Sequence, residues 1–277
     1  MLKKVLLNII MMLVFTGFVF SDEPAPAPKA PEPAPAVKKE PAPAPKAPEP
    51  APAKKAEPPP IKWSGTIEGN FSNTVGQLNT SNTSVKCNLY GDNTAFKLYA
   101  GLLYLRGQSD GTLTSFQRWA EVKFDRKLTA NFYGYLQQVF NSNQITNLEM
   151  GSRSGGGLGY HFAKTAKVNE SIDIGASYNA EEYGNLTLRK RTYSYQASNT
   201  FYWKITDGLE LRHRYEYLPN TNDLKNFRAR SDGSVKIFFS KYLYGNFGII
   251  NEYDNAPASA ATPKRKATIL TTIGFKF

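Results

Sequence analysis

From Trp63 to Phe277 apolar and polar residues alternate with period two, in windows of roughly ten to fourteen residues separated by turn-rich clusters. Period two sends successive side chains to opposite faces of a strand. The first window sets Trp63, Ile67 and Phe71 against Glu68, Asn70 and Ser72. The second sets Val85, Cys87 and Leu89 against Ser84, Lys86 and Asn88. The seventh sets Ile172, Ile174, Ala176 and Tyr178 against Asp173, Ser177 and Asn179. The ninth sets Leu209, Leu211, His213, Tyr215 and Tyr217 against Glu210, Arg212, Arg214 and Glu216. The tenth sets Phe227, Ala229, Val235, Ile237 and Phe239 against Arg228, Arg230, Asp232 and Lys236. The pattern predicts about twelve antiparallel strands, an even number, with one face for lipid and one for a polar lumen.

Connections and aromatics extend this reading. Short turns are expected at Gly91–Asn93, Asp125–Lys127, Thr206–Gly208 and Ser240–Tyr242, with a longer one at Ala163–Glu170. Long polar loops are expected near Gln77 and at Gly107–Gly111, Asn141–Asn147, Glu182–Arg189, Asn220–Lys225 and Asn255–Arg265. Such alternation suits an up-and-down barrel with periplasmic turns, extracellular loops and both termini in the periplasm. Trp63, Phe96, Phe124, Phe162, Trp203, Phe239 and Phe277 fall near one set of strand ends. Tyr104, Phe116, Tyr193, Tyr217, Phe227 and Tyr253 fall near the other. Two interfacial girdles are expected; a soluble β-sandwich has no use for them.

Before Trp63 the physics changes. Lys3 and Lys4 precede the apolar run Val5–Phe20, which reads as a secretory signal over 1–21 cleaved after Ser21. Of eighteen prolines, fifteen lie between Pro24 and Pro60. EPAPAPKAPEPAPAVKK from Glu23 is followed from Glu40 by the same run without its valine. With no apolar face to bury, residues 22–60 are expected to form a disordered, extended linker. It is read as a spacer, with a peptidoglycan or periplasmic-protein tether as the sharper alternative. The barrel domain is residues 61–277.

Charge supplies the candidate chemistry. Residues 61–277 carry 26 basic and 17 acidic side chains. For an exported chain this points away from nucleic acid and toward lipids and lipopolysaccharide phosphates. The strand register puts Lys86, Lys97, Lys123, Arg153, Arg212, Arg214, Arg228, Arg230 and Lys236 in the lumen. Glu68, Glu121, Asp173, Glu181, Glu210, Glu216 and Asp232 join them. Basic ladders favour anions, whereas paired charges fill a small lumen; twelve strands permit either. Arg189, Lys190, Arg191, Lys264, Arg265 and Lys266 gather at expected extracellular ends, as lipopolysaccharide contacts. Cys87 is alone, so no disulfide framework exists, and it reads as a small apolar strand residue. His161 and His213 are the only histidines, and no Ser or Asn partner for His213 is evident at strand spacing. No enzyme, metal site or cofactor is expected.

Gly69-Asn70, the run Gly156-Gly157-Leu158-Gly159-Tyr160-His161-Phe162 and Arg214-Tyr215-Glu216-Tyr217 resemble the salt-induced outer-membrane protein family, a domain of unknown function from Gram-negative envelopes. The likeness covers roughly Trp63 to Phe277. Ile273, Phe275 and Phe277 also resemble the C-terminal signal read by the barrel-assembly machinery. The resemblance implies a membrane barrel and a salt or osmotic response; it implies no activity and no functional residues. Two functions remain open, a narrow channel for ions or small solutes and a structural envelope protein tethered by its linker. A lipid hydrolase is the third and least supported.

Overall fold

The computed structural model describes residues 60–74, 79–184, 188–258 and 263–277. The expected signal peptide, and all of the expected linker but Pro60, lie outside the described residues. Twelve strands follow in chain order: β1 Lys62–Thr74, β2 Thr80–Asp92, β3 Phe96–Ser109, β4 Thr112–Lys127, β5 Phe132–Asn143 and β6 Leu148–Lys164, then β7 Val168–Tyr183, β8 Leu188–Thr206, β9 Leu209–Pro219, β10 Phe227–Phe238, β11 Leu243–Asp254 and β12 Arg265–Lys276. Each pairs antiparallel with its sequence neighbours, and β12 returns to β1 to close the barrel. Closure leaves no unpaired edge, which a strand in hydrocarbon could not tolerate.

The alternation read from sequence is the alternation observed. Ile67, Phe71, Leu136, Leu158, Phe162, Ile174, Ile237, Ile269 and Ile273 all point outward and are exposed. Glu68, Glu121, Asp173, Glu181 and Glu216 are buried inside. A soluble protein would reverse this, so the outer wall is the lipid face of a transmembrane β-barrel. Several members of each girdle touch. At the turn end Phe96 packs on Phe124 at 5.6 Å. At the other end Tyr104 meets Phe116 at 6.0 Å, and Phe227 lies between Tyr217 at 5.2 Å and Tyr253 at 5.4 Å.

Several connections differ from those expected: Asp125–Lys127, expected as a turn, lies in β4 and the turn falls instead at 128–131, and others are shorter. Gly107 falls in β3, which runs on to Ser109, and only Asp110 and Gly111 turn, at φ 47° and φ 76°. Positive φ at both central residues suits the right-handed twist of a hairpin, and Asp-Gly supplies it cheaply. Asn141 and Asn143 lie in β5, followed by a 3₁₀ turn Gln144–Thr146. The connection expected at Ala163–Glu170 shrinks to 165–167, and Leu128 and Ala130, expected in the fifth strand, lie in the turn before it. Polar strand ends that project past the membrane carry no apolar alternation, so they read as loops. Long connections remain at 220–226 and 255–264.

One sector of the wall is bare. Gly155, Gly157 and Gly159 of β6 face inward, and Gly157 stands opposite Gly175 of β7. The space is used by aromatics from β5: the Tyr133 ring lies where a Cβ on Gly159 would go, and the Tyr135 hydroxyl lies 2.7 Å from the same point on Gly175. Glycine in these strands serves close packing, as its position in a strand suggested.

Candidate functional site in the lumen

All sixteen charged residues expected to face the lumen lie on inward register positions. Most occur as cross-barrel partners. Glu68 is 2% exposed and accepts from Lys236 Nζ at 2.7 Å, Tyr244 Oη at 2.8 Å, Asn246 Nδ2 at 2.9 Å and Thr272 Oγ1 at 3.3 Å. Four strands thus converge on one carboxylate. Arg214 of β9 reaches Glu121 of β4 with both guanidinium arms, at 2.9 and 3.0 Å, and Gln137 donates to the same carboxylate. Arg153 donates to Glu216 at 2.8 Å, and Lys123 to Asp173 at 2.6 Å. Asp173 also accepts from Tyr133 Oη at 2.5 Å. Arg228 clasps Glu181 bidentately and holds Asp254 at 3.0 Å. Such charge-assisted pairs satisfy otherwise costly buried groups.

The lumen is not polar throughout. Leu103 and Leu105 of β3, Ile250 of β11 and Leu270 of β12 form a buried apolar cluster with Trp119 of β4 against it. Arg230 lies 5.7 Å from the Trp119 ring. These residues reach inward from two separate pairs of strands, β3–β4 and β11–β12, and meet in the interior. Toward the chain termini the lumen opens into a basin of about 500 Å³, bounded at its inner end by Leu103, Trp119, Arg214 and Arg230. Twelve of the sixteen expected lumen residues line it. Glu68 and Glu121 lie behind the lining, and Glu181 and Arg228 sit beyond the apolar cluster. Nine basic and six acidic side chains border the basin, so its net sign is positive.

Two of the expected lipopolysaccharide contacts belong elsewhere. Lys266 points inward to Glu252 Oε2 at 3.7 Å, and Lys190 points inward and donates to Ala256 O at 3.0 Å. Each occupies the inward half of its strand's alternation, which extends past the positions read as loop. Arg189, Arg191, Lys264 and Arg265 remain exposed.

His213 has a partner after all. Its Nε2 lies 3.0 Å from Ser231 Oγ on the outer wall. The pair is a cross-strand diagonal between β9 and β10, because His213 stands opposite Gly233; a search along one strand misses it. His161 faces the basin with its ring 4.9 Å from Tyr133. Cys87 is a half-buried free thiol on an outward position. Among the described residues no group of three His, Cys, Asp or Glu could hold a metal.

The sequence reading missed the interior tyrosines and the apolar cluster. Tyr90, Tyr99, Tyr133 and Tyr244 line the basin. β3 carries apolar residues on both faces, and a strand buried on both sides reads as a continuous run. Period two therefore gave no sign that Leu103 and Leu105 face inward.

Residues 70–277 match a family described as "Protein of unknown function, DUF481". Among curated proteins no relative is found. Solved structures of similar shape include the NanC porin, at 10% identity and TM-score 0.45, covering 76% of this chain and 96% of that one. An outer-membrane channel from Pseudomonas putida F1 gives 11% identity and TM-score 0.46, covering 81% and 98%. The KdgM porin gives 9% identity and TM-score 0.40, covering 77% and 98%. These likenesses concern barrel architecture and nothing finer.

Proposed function

We propose, for a chain that belongs to DUF481, a family of proteins of unknown function, that the barrel is a narrow outer-membrane channel for small ions, shut at rest. The observation that carries this reading is the basin that ends on a thin apolar cluster. A hydrophobic constriction blocks hydrated ions by dewetting and yields when its side chains part. The positive lining favours anions. The termini share the end with the shorter turns, the arrangement of a barrel whose basin faces the periplasm. A salt or osmotic role fits a lumen latched by ion pairs, since added salt weakens those that water reaches.

Planar-bilayer recording tests it. The unaltered protein is expected to show rare, small steps. Leu103→Ser with Ile250→Ser wets the constriction and is expected to raise mean current roughly fivefold. Silence from both proteins sinks the channel.

The duplicated proline-rich run supports a second role, a tether from the barrel to peptidoglycan. Deleting 23–55 is expected to remove most peptidoglycan co-sedimentation; unchanged sedimentation rules the tether out. Arg189, Arg191, Lys264 and Arg265 are the basic residues placed to meet lipopolysaccharide phosphates.

A further inference from the structure

Nine basic side chains line the basin, and seven have a carboxylate within 4 Å. Among the described residues, Lys97 and Arg212 are the two that do not. They stand on β3 and β9, opposite walls of the twelve-strand barrel, within electrostatic reach of each other. Arg212 donates only to a neutral group, the Tyr90 hydroxyl at 2.7 Å, with its guanidinium 5.5 Å from that ring. The acids opposite Lys97 in the cross-strand register, Asp92 and Asp125, make no ion pair with it within 4 Å. Asp125 is engaged by Lys123 at 3.5 Å, and Asp92 by Lys127 at 2.5 Å. The other seven basin cations each have a carboxylate partner. Two facing cations with no carboxylate in direct contact leave a place for an anion between them.

The rest of the basin suits an organic anion. Its volume of about 500 Å³ is that of a small-molecule pocket. Tyr90 and Tyr99 stack at 5.2 Å beside Arg212 and offer apolar faces with hydroxyl rims. On another wall, buried His161 Nδ1 has no hydrogen-bond partner. A ligand hydroxyl or oxyanion would supply one.

The geometry points to a binding site for a small organic oxyanion, a carboxylate or phosphate monoester, held between Lys97 and Arg212 with its body against Tyr90 and Tyr99. This deepens the channel reading by naming the class of solute, and it rests on that reading only for its purpose. The binding itself does not require conduction.

Calorimetric titration of the full-length protein in detergent micelles tests the site, with glucose 6-phosphate, glucuronate and glucose as probes at constant ionic strength. Both anions are expected to bind and glucose is not. Lys97→Gln with Arg212→Gln is expected to weaken the anions at least tenfold, while Lys97→Arg keeps them within about threefold. Circular dichroism confirms folding of each variant, and Lys97→Gln alone serves if the double variant fails to fold. Equal binding of glucose, unchanged affinity in the charge-removing variants, or no anion binding at about 10 mM overturns the site. A barrel that binds these anions yet never conducts would overturn the channel and leave the site standing.

Discussion

Gly157→Val is expected to abolish the closed barrel, with a cost above about 4 kcal/mol. A Cβ at Gly157 would strike the carbonyl oxygen of Ile174 and come within 2.6 Å of the Gly175 Cα. Both obstacles are backbone of the paired strand, so no rotamer change relieves them. The wall must open between β6 and β7, and the opening would also unseat Tyr133 and Tyr135, which fill the space the glycines leave. Gly134→Ala provides the contrast, because its Cβ meets nothing nearer than Gly157 O at 3.9 Å. It is expected to cost less than about 1 kcal/mol. The two separate by heat-modifiable mobility on gels after refolding into lipid. A Gly157→Val protein that refolds with the yield of Gly134→Ala would show that the bare sector is not a packing requirement.

Glu68→Ala is the second large effect. β1 pairs with β12 through four register positions, Thr66↔Lys276 to Gly69↔Ile273, whereas β1 and β2 share thirteen. This seam is the shortest ladder in the wall. Glu68 spans it from inside, binding Thr272 of β12, Tyr244 and Asn246 of β11 and Lys236 of β10. Removing it leaves the Lys236 ammonium, 11% exposed, without its carboxylate. Breaking one side of such a pair costs about 3–5 kcal/mol. Replacing both members, Glu68→Leu with Lys236→Met, is expected to recover part of the loss: no charge is stranded, but Tyr244, Asn246 and Thr272 lose their acceptor. Urea unfolding in lipid vesicles, followed by tryptophan fluorescence, gives the numbers. A Glu68→Ala midpoint within error of the unaltered protein would remove Glu68 as the latch.

The wall was legible in the sequence and the lumen only partly so. Period two identified the twelve strands, and the sixteen charged residues read as lumen-facing came out on inward positions. That works because lipid outside and polar groups inside impose opposite demands on neighbouring residues. Which acid meets which base was not legible. Arg214 and Glu121 are 93 residues apart and meet across the barrel; no local spacing encodes that. Leu103 and Leu105 escaped because an apolar inward face looks like the lipid face beside it. Lys190 and Lys266 were placed in loops because polar strand ends and polar loops share one composition. The unpaired Lys97 and Arg212 emerge only after every other cation has been matched with its partner.

The last residue of the chain closes the first strand. Phe277 exchanges two backbone hydrogen bonds with Gly65, N to O at 3.0 Å and O to N at 2.9 Å, and its ring covers that glycine. No earlier part of the chain can do this. With this seam unmade, the sheet holds eleven ladders and two open edges. Until that contact forms, the sheet keeps exposed edges that any other strand can pair with, so closure at Gly65 is what turns a sticky sheet into an inert cylinder.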